Sequence, residues 1–506
     1  MRYPFQIFFF RFLIIVLVLI TGEQSFAQDN EDAIYLDSPT APDSNPCIKR
    51  SDLENFQALP RDRHDPTPPP LVEGGSISIL SSLPEPLNSV RTNRNRIRDC
   101  YGVVLGAKYI GETLNNNGSG QKTGTIYEGK YRMSLDIDFN KLTGIDGLTF
   151  HASASQLHGR GIAAYNVSAI MPPSNIEATP TTRLYELWSQ KSFFNNKINI
   201  RIGQLGSDQE FMYPEWGIIF TNNTFGWASI LNANLPSGGP SFPLSSVGTR
   251  IKLNPNEHFS FLASILDGNP AGPQGLFGNP DPQVRNSSGV LFRMTDPPLL
   301  LTEAQIKYKL SEQDGALKLG YWKHYGKFAD QRLGADFLSI ADPNSSGVPL
   351  MKRGNYGYYA ILDQKLGAGA GRGRGAGFFG RVSVAPGDRN LVEFYADMGI
   401  SFIGFFNQRP DDMFGLGLGY AKISNVAAAL DQEAAIYNNA PFSPVRSNEE
   451  LLEATYIAQI LPGWYLQPDF QYIVRPGGNV PDQRDPNGLR VVGNSMIFGL
   501  RTIMRF

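Results

Sequence analysis

The densest chemistry-bearing stretch of the chain lies near its first third, where Glu186, Trp188 and Gln190 recur every second residue and Asn199 and Arg201 repeat that spacing shortly after. Alternate residues of an extended chain share one face, so each set projects to one side. Together they offer a carboxylate, a guanidinium and amides beside an indole. Such a surface can exchange hydrogen bonds with a polar solute and lay a ring against its C–H groups. The plainer alternative is that Glu186 and Arg201 only neutralise each other between neighbouring strands. Arg250, Arg381, Gln471 and Arg475 fall on the same side of their own segments by parity alone, where an Arg can equally be a solvated wall charge.

Catalytic patterns fail on spacing. The five histidines, His64, His151, His158, His258 and His324, show no metal-ligand interval, and no Gly-x-Ser-x-Gly turn is present. His151 reads as a wall residue rather than a base. The glycine-rich run at residues 367–375 lacks the phosphate-loop register and a Lys-Ser/Thr end, and reads as a hairpin tip. No cofactor is implied. The two cysteines, Cys47 and Cys100, have no zinc-type company. An oxidising compartment would let them pair, and a disulfide and two free thiols both stay open.

The elements that must carry these residues are strands. Leu148, Phe150, Ala152 and Ala154 alternate with Thr149, His151, Ser153 and Ser155, and Ile198, Ile200 and Ile202 alternate with Lys197, Asn199 and Arg201. Clusters such as Gly268-Asn269-Pro270 and Pro476-Gly477-Gly478-Asn479 break the segments. The 52 Gly, 36 Pro and 11% aromatic residues fit many strands and many turns. With 18% charged residues and no apolar run of helix-spanning length, a bundle of spanning helices is excluded. A formal net charge of -2 offers no basic face for nucleic acid.

Soluble sandwiches alternate too, and the last segment separates the two cases. Met496, Phe498, Leu500, Met504 and Phe506 share one face; Gly499, Arg501 and Arg505 share the other. An Arg turned to lipid near mid-membrane costs about 2–4 kcal/mol, so the arginine face must look into water and the Phe face outward. The fold class expected is all-β: a transmembrane antiparallel up-and-down barrel with long extracellular loops. At the other end of the chain, Arg2 and Arg11 with the apolar run 12–20 and Ser25-Phe26-Ala27 read as an export signal, 1–27, cut after Ala27. Residues 28–95 are rich in Pro, Asp, Asn and Ser and read as an extended periplasmic linker, or else a tether to an envelope partner. The barrel is then 96–506.

A longer ordered match joins these signals. Tyr109-Ile110-Gly111-Glu112, Asn175-Ile176-Glu177-Ala178, Arg183-Leu184-Tyr185-Glu186-Leu187-Trp188-Ser189-Gln190, Arg201-Ile202-Gly203-Gln204-Leu205, Leu235-Pro236-Ser237-Gly238-Gly239-Pro240 and Tyr472-Ile473-Val474-Arg475-Pro476-Gly477-Gly478 follow in consistent order. Through about four hundred residues the chain resembles the carbohydrate-selective porins, the OprB family. The resemblance implies a 16-stranded outer-membrane barrel, acting as a monomer, that passes sugars by diffusion without catalysis. It also implies recognition of the C-terminal strand ending at Phe506 by the barrel-assembly machinery, and lipopolysaccharide around the wall. Glu186, Trp188, Gln190, Asn199, Arg201, Arg250, Arg381, Gln471 and Arg475 become candidates for the lumen.

Residues 206–248 lack sustained alternation and are expected to fold inside as a constricting loop. Trp216 and Trp227 are then either stacking platforms for a sugar, with Trp227 a candidate pore-lining residue, or members of the interfacial aromatic belt. Three other functions compete: a non-selective diffusion porin, a barrel enzyme acting on lipids through a Ser–His pair on the membrane face near His151 or His324, and an envelope tether working through the proline-rich segment.

Overall fold

The computed structural model describes residues 97–506, apart from 276–277, 369–374, 407 and 441–442. Residues 1–27, read from sequence as an export signal, the proline-rich segment, Cys47 and residues 369–374 of the glycine-rich run lie outside the described residues. Cys100, in the helical turn 97–101, is disulfide-bonded.

Period-two alternation becomes sixteen strands: β1 (Val103–Asn116), β2 (Gly124–Asp138), β3 (Leu148–Gly159), β4 (Thr181–Phe193), β5 (Ile198–Leu205), β6 (Ser246–Leu253), β7 (Phe259–Asp267), β8 (Pro298–Leu310), β9 (Gln313–Gly334), β10 (Pro349–Ala368), β11 (Gly375–Val384), β12 (Val392–Ile403), β13 (Met413–Ile423), β14 (Asn448–Leu461), β15 (Trp464–Val474) and β16 (Ser495–Arg505). Each pairs antiparallel with its sequence neighbours, and β16 returns to β1 with Lys108 opposite Arg505 and Glu112 opposite Arg501. Closure leaves no sheet edge, as a strand-built membrane structure requires.

Connections alternate in length. At the end where β1 begins and β16 finishes they run from two residues (311–312, 462–463) to nine (139–147, 404–412); at the other end they reach forty, 206–245. Short turns mark the periplasmic side of such barrels and long loops the outside. The long connection stops at Ser245, three residues earlier than the sequence suggests, because Ser246 already pairs with Leu205.

Side-chain parity is as the C-terminal segment requires. Met496, Phe498 and Leu500 are 37%, 48% and 52% exposed outward, whereas Arg501 is 1% exposed and bound to Glu112 inside. The apolar core sits within the lumen, where Ile219, Phe220, Phe225, Trp227, Ile230 and Leu231 of the long loop pack with wall residues Phe379, Tyr395, Leu451 and Ile473. That packing needs a wall without side chains. A Cβ on Gly377 would lie 1.8 Å from Trp216, and one on Gly417 would lie 2.7 Å from Phe225 and 2.9 Å from Phe220.

Candidate functional site

The loop 206–245 crosses the lumen by satisfying its backbone on wall side chains, since inside a barrel each unpaired amide or carbonyl is costly. Wall carboxylates take its N–H groups. Glu303 accepts from Met212 N (2.9 Å), Asp363 from Glu215 N (2.8 Å) and Trp216 N (3.3 Å), and Glu453 from Thr221 N (2.5 Å) and Asn222 N (3.0 Å). Wall cations and amides take its carbonyls. Lys318 donates to Tyr213 O (2.8 Å), Gln467 to Ile219 O (2.8 Å), and Arg381 to Met212 O (2.6 Å), Thr224 O (2.6 Å) and Gly226 O (3.0 Å). The loop thus reaches from β5 to β15 and returns. At its root Tyr185 donates to Asp208 (2.5 Å), whose second oxygen accepts from Phe242 N (3.0 Å), joining the two ends.

A second inward loop, 160–180, is held in the same way. Glu449 accepts from Ile170 N (2.8 Å) and Met171 N (2.7 Å), and Arg501 donates to Asn175 Oδ1 (3.0 Å). Within this loop Glu177 accepts from Ile162 N (3.1 Å) and Ala163 N (3.0 Å). Burial pushes its carboxyl up to about 7, against the pull of those amides.

Sequence parity brought the β4–β6 candidates together. Trp188 faces His151 across β3–β4, and Gln190 faces Arg201 across β4–β5. Gln190 Oε1 accepts from Arg201 (3.1 Å) and Arg250 (3.0 Å); Arg250 also binds Glu210 of the loop at 2.6 Å, with Arg201 3.4 Å from the same carboxylate. The Arg201 guanidinium lies 3.8 Å from the centre of the Trp188 ring, and His151 stacks on that ring at 5.0 Å. Glu186 has His151 Nε2 at 3.7 Å and Arg132 at 3.8 Å, and His151 Nδ1 meets Asp136 at 2.5 Å. Asn199 accepts from Ser192 Oγ (2.5 Å) toward the periplasmic end. Three guanidinium groups (Arg132, Arg201, Arg250) face three carboxylates (Asp136, Glu186, Glu210), so the wall is densely polar and nearly neutral.

The other candidates lie elsewhere. Arg381 and Gln471 do point inward, and both hold loops: Gln471 donates to Pro173 O (2.8 Å) and accepts from Asn222 Nδ2 (3.0 Å). Trp227 is 1% exposed in the loop's own apolar cluster and donates to Gly238 O (3.0 Å); it belongs neither to an open stacking face nor to the outer belt. Trp216 is half-buried against Gly377. Parity does not extend to Arg475, because β15 ends at Val474 and Arg475 takes φ 51°, pairing with Glu450 at the outer rim. His151 and His324 both face the lumen, not lipid, and His324 meets Gly268 O at 3.0 Å. Sequence reasoning missed Glu210, Arg132, Ser153, Glu303 and Glu453; inward parity on named strands could have found all but Glu210.

The sequence matches the profile described as "Carbohydrate-selective porin, OprB family" over residues 122–506. The chain belongs to the OprB family of carbohydrate-selective porins. It is 23% identical over 406 residues to Porin B of Pseudomonas aeruginosa, covering 74% of this chain and 84% of that protein. The high-pH structure of Pseudomonas putida OprB superposes with a TM-score of 0.72 at 19% identity, covering 83% of this chain and 97% of that one. Its low-pH structure gives 0.50 at 16% identity, covering 85% and 100%. The protein is an outer-membrane porin for carbohydrates, with the closed 16-stranded barrel expected for it. Family and fold are those of a channel.

Proposed function

We propose that sugars pass by diffusion along the β2–β6 wall, past the ladder of Arg132, Glu186, Gln190, Arg201, Arg250 and Glu210, with no bond made or broken. A wall of balanced charge gives an uncharged polyol many hydrogen-bonding partners and gives an ion no net attraction. In this reading Arg381, Gln471 and Trp227 act by seating the constricting loop. The observation that carries it is that Gln190 and Glu210, which bind Arg201 and Arg250 between wall and loop, keep part of their surface exposed. Partly exposed polar groups of this kind are satisfied by water or by solute hydroxyls. The chain works as a monomer, inserted by the assembly machinery that reads its C-terminal strand.

Single-channel recording with a sugar titration tests this. Glu210→Gln keeps the size of the side chain and takes its charge from Arg201 and Arg250, and should weaken sugar blockade about 5–10-fold, the worth of one hydrogen bond. Gln190→Ala should weaken it too. Unchanged blockade in both variants would remove this wall from the sugar path.

A further inference from the structure

Strands β9 and β10 rise well beyond their neighbours, and their surface changes character with height. Gln313 to Lys323 is ten residues, about 34 Å of strand and, at a tilt of about 40°, roughly 26 Å of height. That matches the apolar band of about 25 Å, so Lys323 stands at the outer boundary. A tyrosine cluster surrounds it: Tyr321 and Tyr358 lie 5.1 Å apart, Tyr356 and Tyr358 6.3 Å, and Lys323 Nζ is 4.9 Å from the Tyr325 ring. Tyr325, Tyr356 and Tyr358 are 50%, 40% and 55% exposed. Just above, exposed Lys327 sits directly opposite exposed Arg353 in the ladder.

Like charges directly opposite destabilise a strand pair unless something offsets them. Elsewhere on this rim the cations carry acids: Arg332 with Glu433, Arg389 with Asp388 (2.9 Å), Arg484 with Asp482 (2.8 Å). Asp330, three residues beyond Lys327 on β9, is engaged by Lys352 (2.9 Å), and Asp388, whose neighbour Arg389 donates to Arg353 O, is engaged by Lys352 (2.6 Å) and Arg389. Among the described residues Lys323, Lys327 and Arg353 form no ion pair. An anion that reaches this level from the lipid side, and carries acyl chains for the tyrosines below, would offset the repulsion and match the whole surface.

We propose that the outer face of β9–β10 is a binding site for a phosphorylated glycolipid of the outer leaflet, with phosphates on Lys323, Lys327 and Arg353 and acyl chains along the tyrosine belt. The full chain in detergent micelles can be titrated with bis-phosphorylated lipid A, with the same lipid after phosphate removal, and with phosphatidylglycerol, and bound lipid read by native mass spectrometry. The phosphorylated form should bind at least tenfold tighter than the other two. The triple variant Lys323→Ala, Lys327→Ala, Arg353→Ala should lose that preference while sugar entry into liposomes is unchanged, and Lys191→Ala at the periplasmic end should keep it. Equal binding of the dephosphorylated lipid to the unaltered protein, which needs no variant to fold, would overturn the proposal. So would full lipid preference in the triple variant.

Discussion

Replacing Arg381 with Ala perturbs the loop at one of its most heavily used anchors. Arg381 donates to the carbonyls of Met212, Thr224 and Gly226 and is paired with Asp397, and both partners are fully buried. Removing one member of a buried pair costs about 3–5 kcal/mol, because the stranded Asp397 loses its counter-charge, and three loop carbonyls lose a charged donor as well. If about 3 kcal/mol of this falls on loop seating, the ratio of released to seated loop rises by roughly a hundredfold. Planar-bilayer recording should show larger and noisier open conductance and weaker sugar blockade. Adding Asp397→Ala removes the stranded carboxylate, so the double variant should recover stability without restoring blockade. Conductance and blockade at the original values in Arg381→Ala would refute the assignment of this residue as a loop anchor.

Further outcomes follow from the same contacts. Gly417→Val should lower the melting temperature and raise conductance, since its Cβ would meet Phe225 at 2.7 Å, whereas Ala at outward Leu418 should leave conductance unchanged. Leu418→Arg, at a position 48% exposed to lipid, should cost about 2–4 kcal/mol in a barrel-refolding assay, more than Ser153→Arg on the lumen side. Glu177, raised to about 7 by burial, holds its proton more tightly in the seated loop than when released. Seating is therefore strongest below pH 4.5 and weakens as pH climbs through about 7. Proteolysis within 160–180 should be faster at pH 8 than at pH 5, and Glu177→Gln should flatten that difference.

Much of the barrel could be read from parity. The Arg501 and Phe498 faces, the inward set at Glu186, Trp188, Gln190 and Arg201, and the intruding loop all follow from period two and from the stretch where it stops. Parity tells which side of the wall a residue faces and nothing about what meets it there. Gln471 and Asn222 are 249 residues apart in sequence and hydrogen-bonded in space. Gln471 and Arg381 therefore read as open lumen groups although they hold loop backbone. Trp227 shows the same limit, because an aromatic within a non-alternating stretch can stack in the pore, sit in the belt or bury itself in the loop, and only packing decides. Arg475 shows where the rule ends, one residue past the last ladder pair. Period two gives no reason for glycine at 377 and 417, since the close approach of Trp216, Phe220 and Phe225 there is a tertiary contact.

Solute uptake by liposomes containing the purified full chain bears most directly on the account as a whole. Neutral mono- and disaccharides should enter far faster than into empty vesicles, and faster than charged solutes of equal size. Uptake no faster than in empty vesicles, or equal rates for neutral and charged solutes, would contradict a sugar-conducting lumen of balanced charge.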